Sequence, residues 1–338
     1  MKVSGLALTC LLVAAQRVAA VPITEIQYVM GTYLRLTVDH DDEAVARCAM
    51  RRCAAGVRHL EEVFSRFDGR SELSRLNAVP VGGGPVTVSA DMAALLERAL
   101  TLRDATDGAF DIGVGALTQL WRTADRWPAR SDIARAQDGL GPDALVLRGT
   151  TLVRHADVLI DVDGVAKGWA VDQCVIALRE AGVARAFVNF GESSLYALGA
   201  PAGRTSWPVL VRALDRESAL GVLHLRDQAA SVSAVLGRER RIAGRRVGHI
   251  VNPRTGSPIS RPALSLVVAP SATDAEAFSK AVLIHGGRPP CRRSAAPRCA
   301  AEIGAILVDA RGLHRFGRVP FSPRPIGSPM PASVGVLQ

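Results

Sequence analysis

Three observations predict an α+β fold, with mainly antiparallel sheets packed with helices. Short apolar or alternating stretches at residues 33–38, 144–147, 151–154, 186–188, 208–212, 222–225 and 305–308 have strand character. Longer amphipathic stretches at 42–66, 89–103, 164–181 and 274–285 have helical spacing. No repeat and no linker separates the two kinds of element, so they are expected to share one domain.

Each element has a local reason. Residues 33–38 alternate directly after Met30-Gly31-Thr32. In 42–66, Val45, Val57, Leu60, Val63 and Phe64 are among the apolar positions of a long helix. Ser71 to Asn77 reads as a turn or a short helix, and residues 80–85 as a glycine-rich loop. Ser89 caps the second helix. Arg148-Gly149-Thr150 joins two short strands as a hairpin. Beyond Phe316 the chain is punctuated by Pro, Ser and Gly, and 317–338 is expected to be a disordered tail.

Composition narrows the function. A length of 338 residues and 48% hydrophobic content suit an ordinary fold with a sizeable core. The formal charge of +9 comes from scattered arginines. With no aromatic-interleaved basic patch, nucleic acid is not an expected partner, whereas anionic ligands are compatible. Residues 1–20 have the features of a secretory signal: Lys2, an apolar run from Val3 to Ala15, and Val18-Ala19-Ala20 before Val21. The run is too short to anchor in a bilayer, so cleavage near Ala20 and a periplasmic product are expected. Ala7-Leu8-Thr9 before Cys10 is a poor lipidation signal. Cys48 and Cys53 do not share a helix face, Cys174 reads as core, and none of the six cysteines has zinc spacing. In an exported protein Cys291 and Cys299 would be placed to close a small disulfide loop.

The stretch from Ile160 to Asp172 is the chemical centre of the sequence. An apolar run, Val158 to Ile160, ends in Asp161 and Asp163 and passes through Gly164 into a helix. Amides at a helix start favour phosphate, and Lys167 adds a mobile charge on the first turn. Only Lys2, Lys167 and Lys280 are lysines among 41 basic residues, which singles out Lys167 from an arginine-rich surface. The bland reading is a strand–helix corner with Asp163 as cap and Lys167 in solvent. Four other stretches carry polar chemistry. Asp107-Gly108-Ala109-Phe110-Asp111 sets a carboxylate beside either an exposed aromatic or, as a helix C-cap followed by a packed Phe, a core side chain. Asn189 to Ser194 is a polar loop after a strand. His249 stands before Pro253-Arg254-Thr255-Gly256. Glu276 and Lys280 sit four apart on a helix, as an ordinary ion pair would.

In this order the stretches Met30-Gly31-Thr32, Ser71 to Asn77, Asp107 to Asp111, Asp161 to Asp172 and His249 to Gly256 resemble the ApbE family, the FAD:protein FMN transferases. The resemblance covers about residues 27–312 and implies the family's T-fold-like α+β domain. It implies transfer of FMN from FAD, with Mg²⁺, to a threonine of an exported or membrane-bound flavin-accepting redox protein. Membrane association would then come only through that acceptor or an uncleaved signal. Met30, Phe67, Ala109, Phe110 and Asp111 would touch the flavin nucleotide, and Phe67 stands where tyrosine is common. Asp161 and Lys167 would lie near ribose and phosphates. Ile250 would line the cleft, with His249 beside the reacting group. Lys167 and His249 are therefore the catalytic candidates.

The sequence departs from the family at the metal. An Asp and, four residues later, a Thr are replaced by Glu276 and Lys280; a carbonyl at Gly164 and the Ser279 hydroxyl complete the implied ligands. Protonated Lys280 cannot ligate Mg²⁺ and repels it. Gly191-Glu192-Ser193, the loop from Ser233 to Gly237 and the Pro/Arg-rich 287–299 also differ. Three functions follow: FMN transfer first, then FAD binding without transfer, and hydrolysis of FAD to FMN and AMP.

Overall fold

The structure is a computed structural model that describes residues 21–215, 217–235, 240–287, 302–324 and 335–337. The expected signal segment, Cys10, Cys291 and Cys299 lie outside these residues.

In chain order, the hairpin β1 (Ile23–Val29) and β2 (Thr32–Val38) leads into α1 (Glu43–Phe64) and α2 (Glu72–Ala78). Then come β3 (Val86–Thr87), α3 (Ala90–Ala105), α4 (Gly115–Thr123) and α5 (Arg130–Gln137). The hairpin β4 (Leu145–Arg148) and β5 (Thr151–Arg154) precedes α6 (Ala166–Glu180). Strands β6 (Ala186–Phe190), β7 (Ser194–Leu198), β8 (Trp207–Arg212), β9 (Ala219–Leu225) and β10 (Gln228–Ala234) follow. A small hairpin, β11 (Arg240–Ile242) and β12 (Arg245–Val247), leads to β13 (Leu264–Ala269) and α7 (Ala272–His285). The last elements are β14 (Gly304–Asp309), β15 (Gly312–Phe316), β16 (Phe321–Pro323) and β17 (Gly335–Leu337).

The central sheet runs β1-β2-β6-β7-β10-β13-β14-β15, every neighbour antiparallel. Its inner strands β6, β7, β10 and β13 bury both faces. Val188, Tyr196 and Val267 point to the helical side, where α1, α6 and α7 pack. Their neighbours Phe187, Leu195 and Leu266 point to a second sheet, β16-β9-β8-β17. There the Phe187 and Trp207 rings stack 5.6 Å apart. Double burial explains why β10 and β13 escape a search for alternation: a strand covered on both faces has no polar side to show.

The second sheet also corrects the expected tail. Residues 321–323 pair with β9 and 335–337 run parallel to β8, burying Phe321 and Leu337. Proline and glycine punctuate this segment, but single apolar side chains reach an apolar sheet face and the free edges supply hydrogen bonds.

The helices begin where short polar side chains accept from first-turn amides: Asp42 for α1, Ser71 for α2, Ser89 for α3 and Ser271 for α7. Asp163 does not cap α6, whose cap position is Val165. Helix α6 instead meets α7 very closely. A Cβ on Gly168 would lie 2.5 Å from the Ala272 carbonyl oxygen, so only glycine fits. Asp172, one turn on, accepts from the Ala272 amide at 2.7 Å and from the Thr273 amide and hydroxyl at 2.9 and 2.5 Å. This contact fixes how far the start of α6 stands from the face of α7.

Two stability measurements check that contact. Gly168→Ala is expected to lower the unfolding free energy by about 1–3 kcal/mol in urea, from overpacking. Asp172→Ala leaves buried amides unpaired and is expected to cost about 2 kcal/mol. Burial pushes the Asp172 carboxyl up to about 6, against the donors that favour its charge. The native state therefore binds more protons than the unfolded chain between about pH 4 and 6. The contribution of this group falls as pH rises through that window, and Asp172→Asn should flatten the slope.

Candidate active site

The close approach of α6 and α7 creates a charged floor for a cavity of about 590 Å³. Glu276 lies at its base, 1% exposed, where α7 faces α6 and β7. Its Oε1 pairs with Lys167 Nζ at 3.1 Å and accepts from the Ser194 hydroxyl. Its Oε2 accepts from the Gly168 amide at 3.0 Å. Burial opposes the charge on this carboxylate. Lys167 and then Lys280, helped by Ser194 and the Gly168 amide, nevertheless hold its pKa below the ordinary value.

Lys280, one turn along α7, donates from Nζ to the Glu276 carbonyl at 3.1 Å and lines the cavity. Its stem passes Gly164, where an added Cβ would sit 3.5 Å from Lys280 Cε. Burial lowers its pKa to about 8, against the attraction of Glu276. Ser279 points elsewhere: its hydroxyl donates to the Glu276 carbonyl at 2.8 Å and lies 2.7 Å from the Ser233 hydroxyl.

A second charged group stands above the floor. Arg66 approaches Asp163 at 2.7 Å and Asp161 at 3.5 Å. Asp161 also accepts from the Thr118 hydroxyl at 2.9 Å and from the Asp163 amide at 3.0 Å. Burial and then the charge of Asp161 raise the Asp163 pKa, with Arg66 and Lys167 opposing.

Turns set the remaining wall. Asp107 and Gly108 take positive φ, and the Phe110 amide donates to Thr106 Oγ1 at 3.1 Å. Phe110 is turned inward and only 5% exposed, the packed one of the two readings the sequence leaves open. Its ring edge would lie 3.2 Å from a Cβ on Gly164. Asp111 is buried beside it, donates no charge to solvent, and has its carboxyl raised first by that burial. Arg254 Nη2 donates to the Asp107 carbonyl at 2.5 Å, and Trp121 Nε1 to the Gly256 carbonyl at 2.7 Å. These bonds hold the 249–256 segment over the cavity, with His249 exposed at the rim and Ile250 half-buried.

The fold thus gathers Ala109, Phe110, Asp111, Asp161, Gly164, Lys167, His249, Ile250 and Glu276 around one space. Met30, Phe67 and Ser279 are not among the lining residues. The Met30 amide donates to Glu61 at 2.8 Å. Phe67 is 77% exposed, with the Arg66 and Arg122 guanidinium groups 4.6 and 5.9 Å from its ring centre. Arg66, Thr118, Arg122 and Arg240 also line the cavity, although the sequence does not single them out. Arg66 had one available signal, its place beside Phe67. The others carry none in an arginine-rich chain.

Mg²⁺ requires oxygen ligands in near-octahedral order. Here both Glu276 oxygens are engaged, the Ser279 hydroxyl is tied to Ser233, and an ammonium stands at position 280. Among the described residues no group of three or more His, Cys, Asp or Glu side chains is placed to hold a metal. The residues do not fit the expected ion.

A cavity with a cationic floor and an apolar wall has the chemistry to take an anionic ligand with a flat apolar part. The chain matches the model of the ApbE family over residues 30–294, and it belongs to that family. It is 30% identical over 298 residues to the FAD:protein FMN transferase of Treponema pallidum, covering 78% of this chain and 79% of that protein. With the FAD:protein FMN transferase of Salmonella typhimurium it shares 29% identity over 270 residues, 76% and 77% of the two chains. The solved structure of the ApbE protein from Thermotoga maritima superposes with a TM-score of 0.76 at 26% identity, covering 87% of this chain and 97% of that one. The α+β, mainly antiparallel expectation agrees with this neighbour.

Removing the Glu276 carboxylate leaves the charges of Lys167 and Lys280 without the anion between α6 and α7 that offsets them. Glu276→Ala is expected to lower stability by about 2–3 kcal/mol, below the full value for a buried pair because Lys167 reaches the open cavity. Thermal and urea unfolding would report it.

Proposed function

We propose that the chain transfers FMN from FAD to a threonine hydroxyl of a flavin-accepting redox protein, releasing AMP. The observation that carries this reading is the convergence of Lys167, Lys280 and Arg66 on a cavity walled by Phe110 and Ile250. A diphosphate with a flat apolar group matches both halves of that space. Relatives named FAD:protein FMN transferase supply the reaction class.

In the reaction, the acceptor oxygen forms a bond to the FMN phosphorus while the bond to the bridging oxygen breaks. AMP leaves with that electron pair, and the hydroxyl proton goes to a base. Such a reaction asks the protein for cationic charge on the phosphoryl oxygens and for alignment, with little covalent work. Lys167 supplies charge, already oriented by Glu276. Phe110 and Ala109 hold the flavin nucleotide, with Asp111 beside them on the same wall. Asp161, fixed by Thr118 and Arg66, orients the ribose. His249 at the rim faces the side from which a protein acceptor would come and takes the proton. The acceptor is exported, as residues 1–20 suggest for this chain too, and transfer takes place in the periplasm. Among the described residues no helix is long and apolar enough to cross a membrane.

Incubating the chain with FAD and a threonine-bearing acceptor domain, followed by intact mass, tests the proposal. The expected product is an FMN adduct that a Thr→Val acceptor does not form. FAD binding without adduct or AMP would overturn transfer, and AMP release without an acceptor would make hydrolysis the activity. Lys167→Ala should weaken FAD binding about tenfold, or about 1.4 kcal/mol. His249→Ala should slow adduct formation by about 10²-fold or more with FAD affinity retained.

A further inference from the structure

Position 280 carries a cation where the family pattern provides an oxygen ligand, and the surrounding residues are arranged for that cation. Lys280 reaches back along α7 to the Glu276 carbonyl, which uses one of its three N–H donors. Lys167 likewise spends one donor on the Glu276 carboxylate. Two ammonium groups against one carboxylate leave a net positive charge at the cavity floor, with N–H donors still to offer. Glu276 has no comparable capacity for a metal. Lys167 and Ser194 occupy one oxygen, and the Gly168 amide occupies the other. The Lys280 stem fills the space beside Gly164, the residue whose carbonyl would have to join the metal's ligands.

We propose that Lys280, together with Lys167, stands in place of a divalent cation, so that this site holds the diphosphate of its ligand without Mg²⁺. The inference rests on the FAD-binding part of the function proposed above. Its physical basis is charge replacement. A divalent ion at this position would neutralise phosphoryl oxygens through direct bonds. Two ammonium groups neutralise them through charge-assisted hydrogen bonds, the Lys167 head fixed by the Glu276 carboxylate and the Lys280 head by the Glu276 backbone carbonyl. Glu276 thereby changes from a metal ligand into an anchor for two lysines.

The test measures FAD binding by flavin fluorescence and by calorimetry, in EDTA and in excess Mg²⁺, on the full chain. Wild-type affinity is expected to be the same in both buffers, and titration of Mn²⁺ into the ligand-free protein should show no binding at the site. Lys280→Met should weaken FAD binding in EDTA about tenfold or more, equivalent to about 1.4 kcal/mol. Lys280→Thr should show the same loss in EDTA and recover with Mg²⁺. Loss of wild-type FAD binding in EDTA, restored by Mg²⁺, would overturn the proposal, as would undiminished binding by Lys280→Met. So would FAD binding that arises only in Lys280→Thr with Mg²⁺, which would make Lys280 an inhibitory residue. If the Lys280 variants fail to fold, the wild-type comparison and the Mn²⁺ titration decide. Adduct mass is read separately. Metal-free FAD binding without adduct would support the lysine site and remove the transferase reading, whereas adduct formation strictly dependent on Mg²⁺-restored binding would do the reverse.

Discussion

Glu276 is a carboxylate taken almost wholly out of water, a state that costs several kcal/mol unless its charge is met from all sides. The fold meets it with a lysine from the first turn of α6, an amide from the same turn and a hydroxyl from the start of β7. Three elements distant in sequence must therefore be in place together. That requirement fixes the position of Lys167, and the backbone carbonyl of Glu276 steadies Lys280 as well. The absence of a side chain at Gly168 is a precondition, because any Cβ would push α6 off the helix that carries the carboxylate.

The rest of the architecture supports this contact. The central sheet holds α7 against its helical face while the second sheet covers the other, so α7 is buried almost all round. A polar group on such a helix has no solvent to fall back on, which is why its charges are paired within the structure. By contrast, the cavity rim is built from turns held by bonds such as Arg254 to Asp107, Trp121 to Gly256 and Gln137 to the Pro253 carbonyl. Charge placement thus falls to the buried floor, and the opening of the cavity to loop-borne residues.

Much of this was legible beforehand. The long helix α1, the hairpin of β4 and β5, the Ser89 cap, the helix over 274–285 and the ordered polar stretches all follow from local pattern and turn chemistry. The stretches holding Asp161, Lys167, His249 and Glu276 were visible as motifs, and the family's order joined them before any geometry did. Other features were not legible. β10 and β13 lack alternation because both faces are covered, and the strands after Phe316 are too short to register alone. The sequence leaves Phe110 open between an exposed and a packed side chain; the structure packs it, next to the positive-φ turn at Asp107 and Gly108.

The sequence by itself determined the identities that matter for charge: a lysine at 167, a carboxylate at 276 and a second lysine where an oxygen ligand was expected. It did so because local chemistry and spacing suffice to mark a helix start and an i, i+4 pair. Only the tertiary structure decided which of these charges meet. Residues 167 and 276 are linked across α6 and α7, not along one helix, and Arg66 arrives from the end of α1 to face Asp161 and Asp163. Such encounters depend on how closely two backbones can approach, a property of packed surfaces that no single stretch of sequence carries.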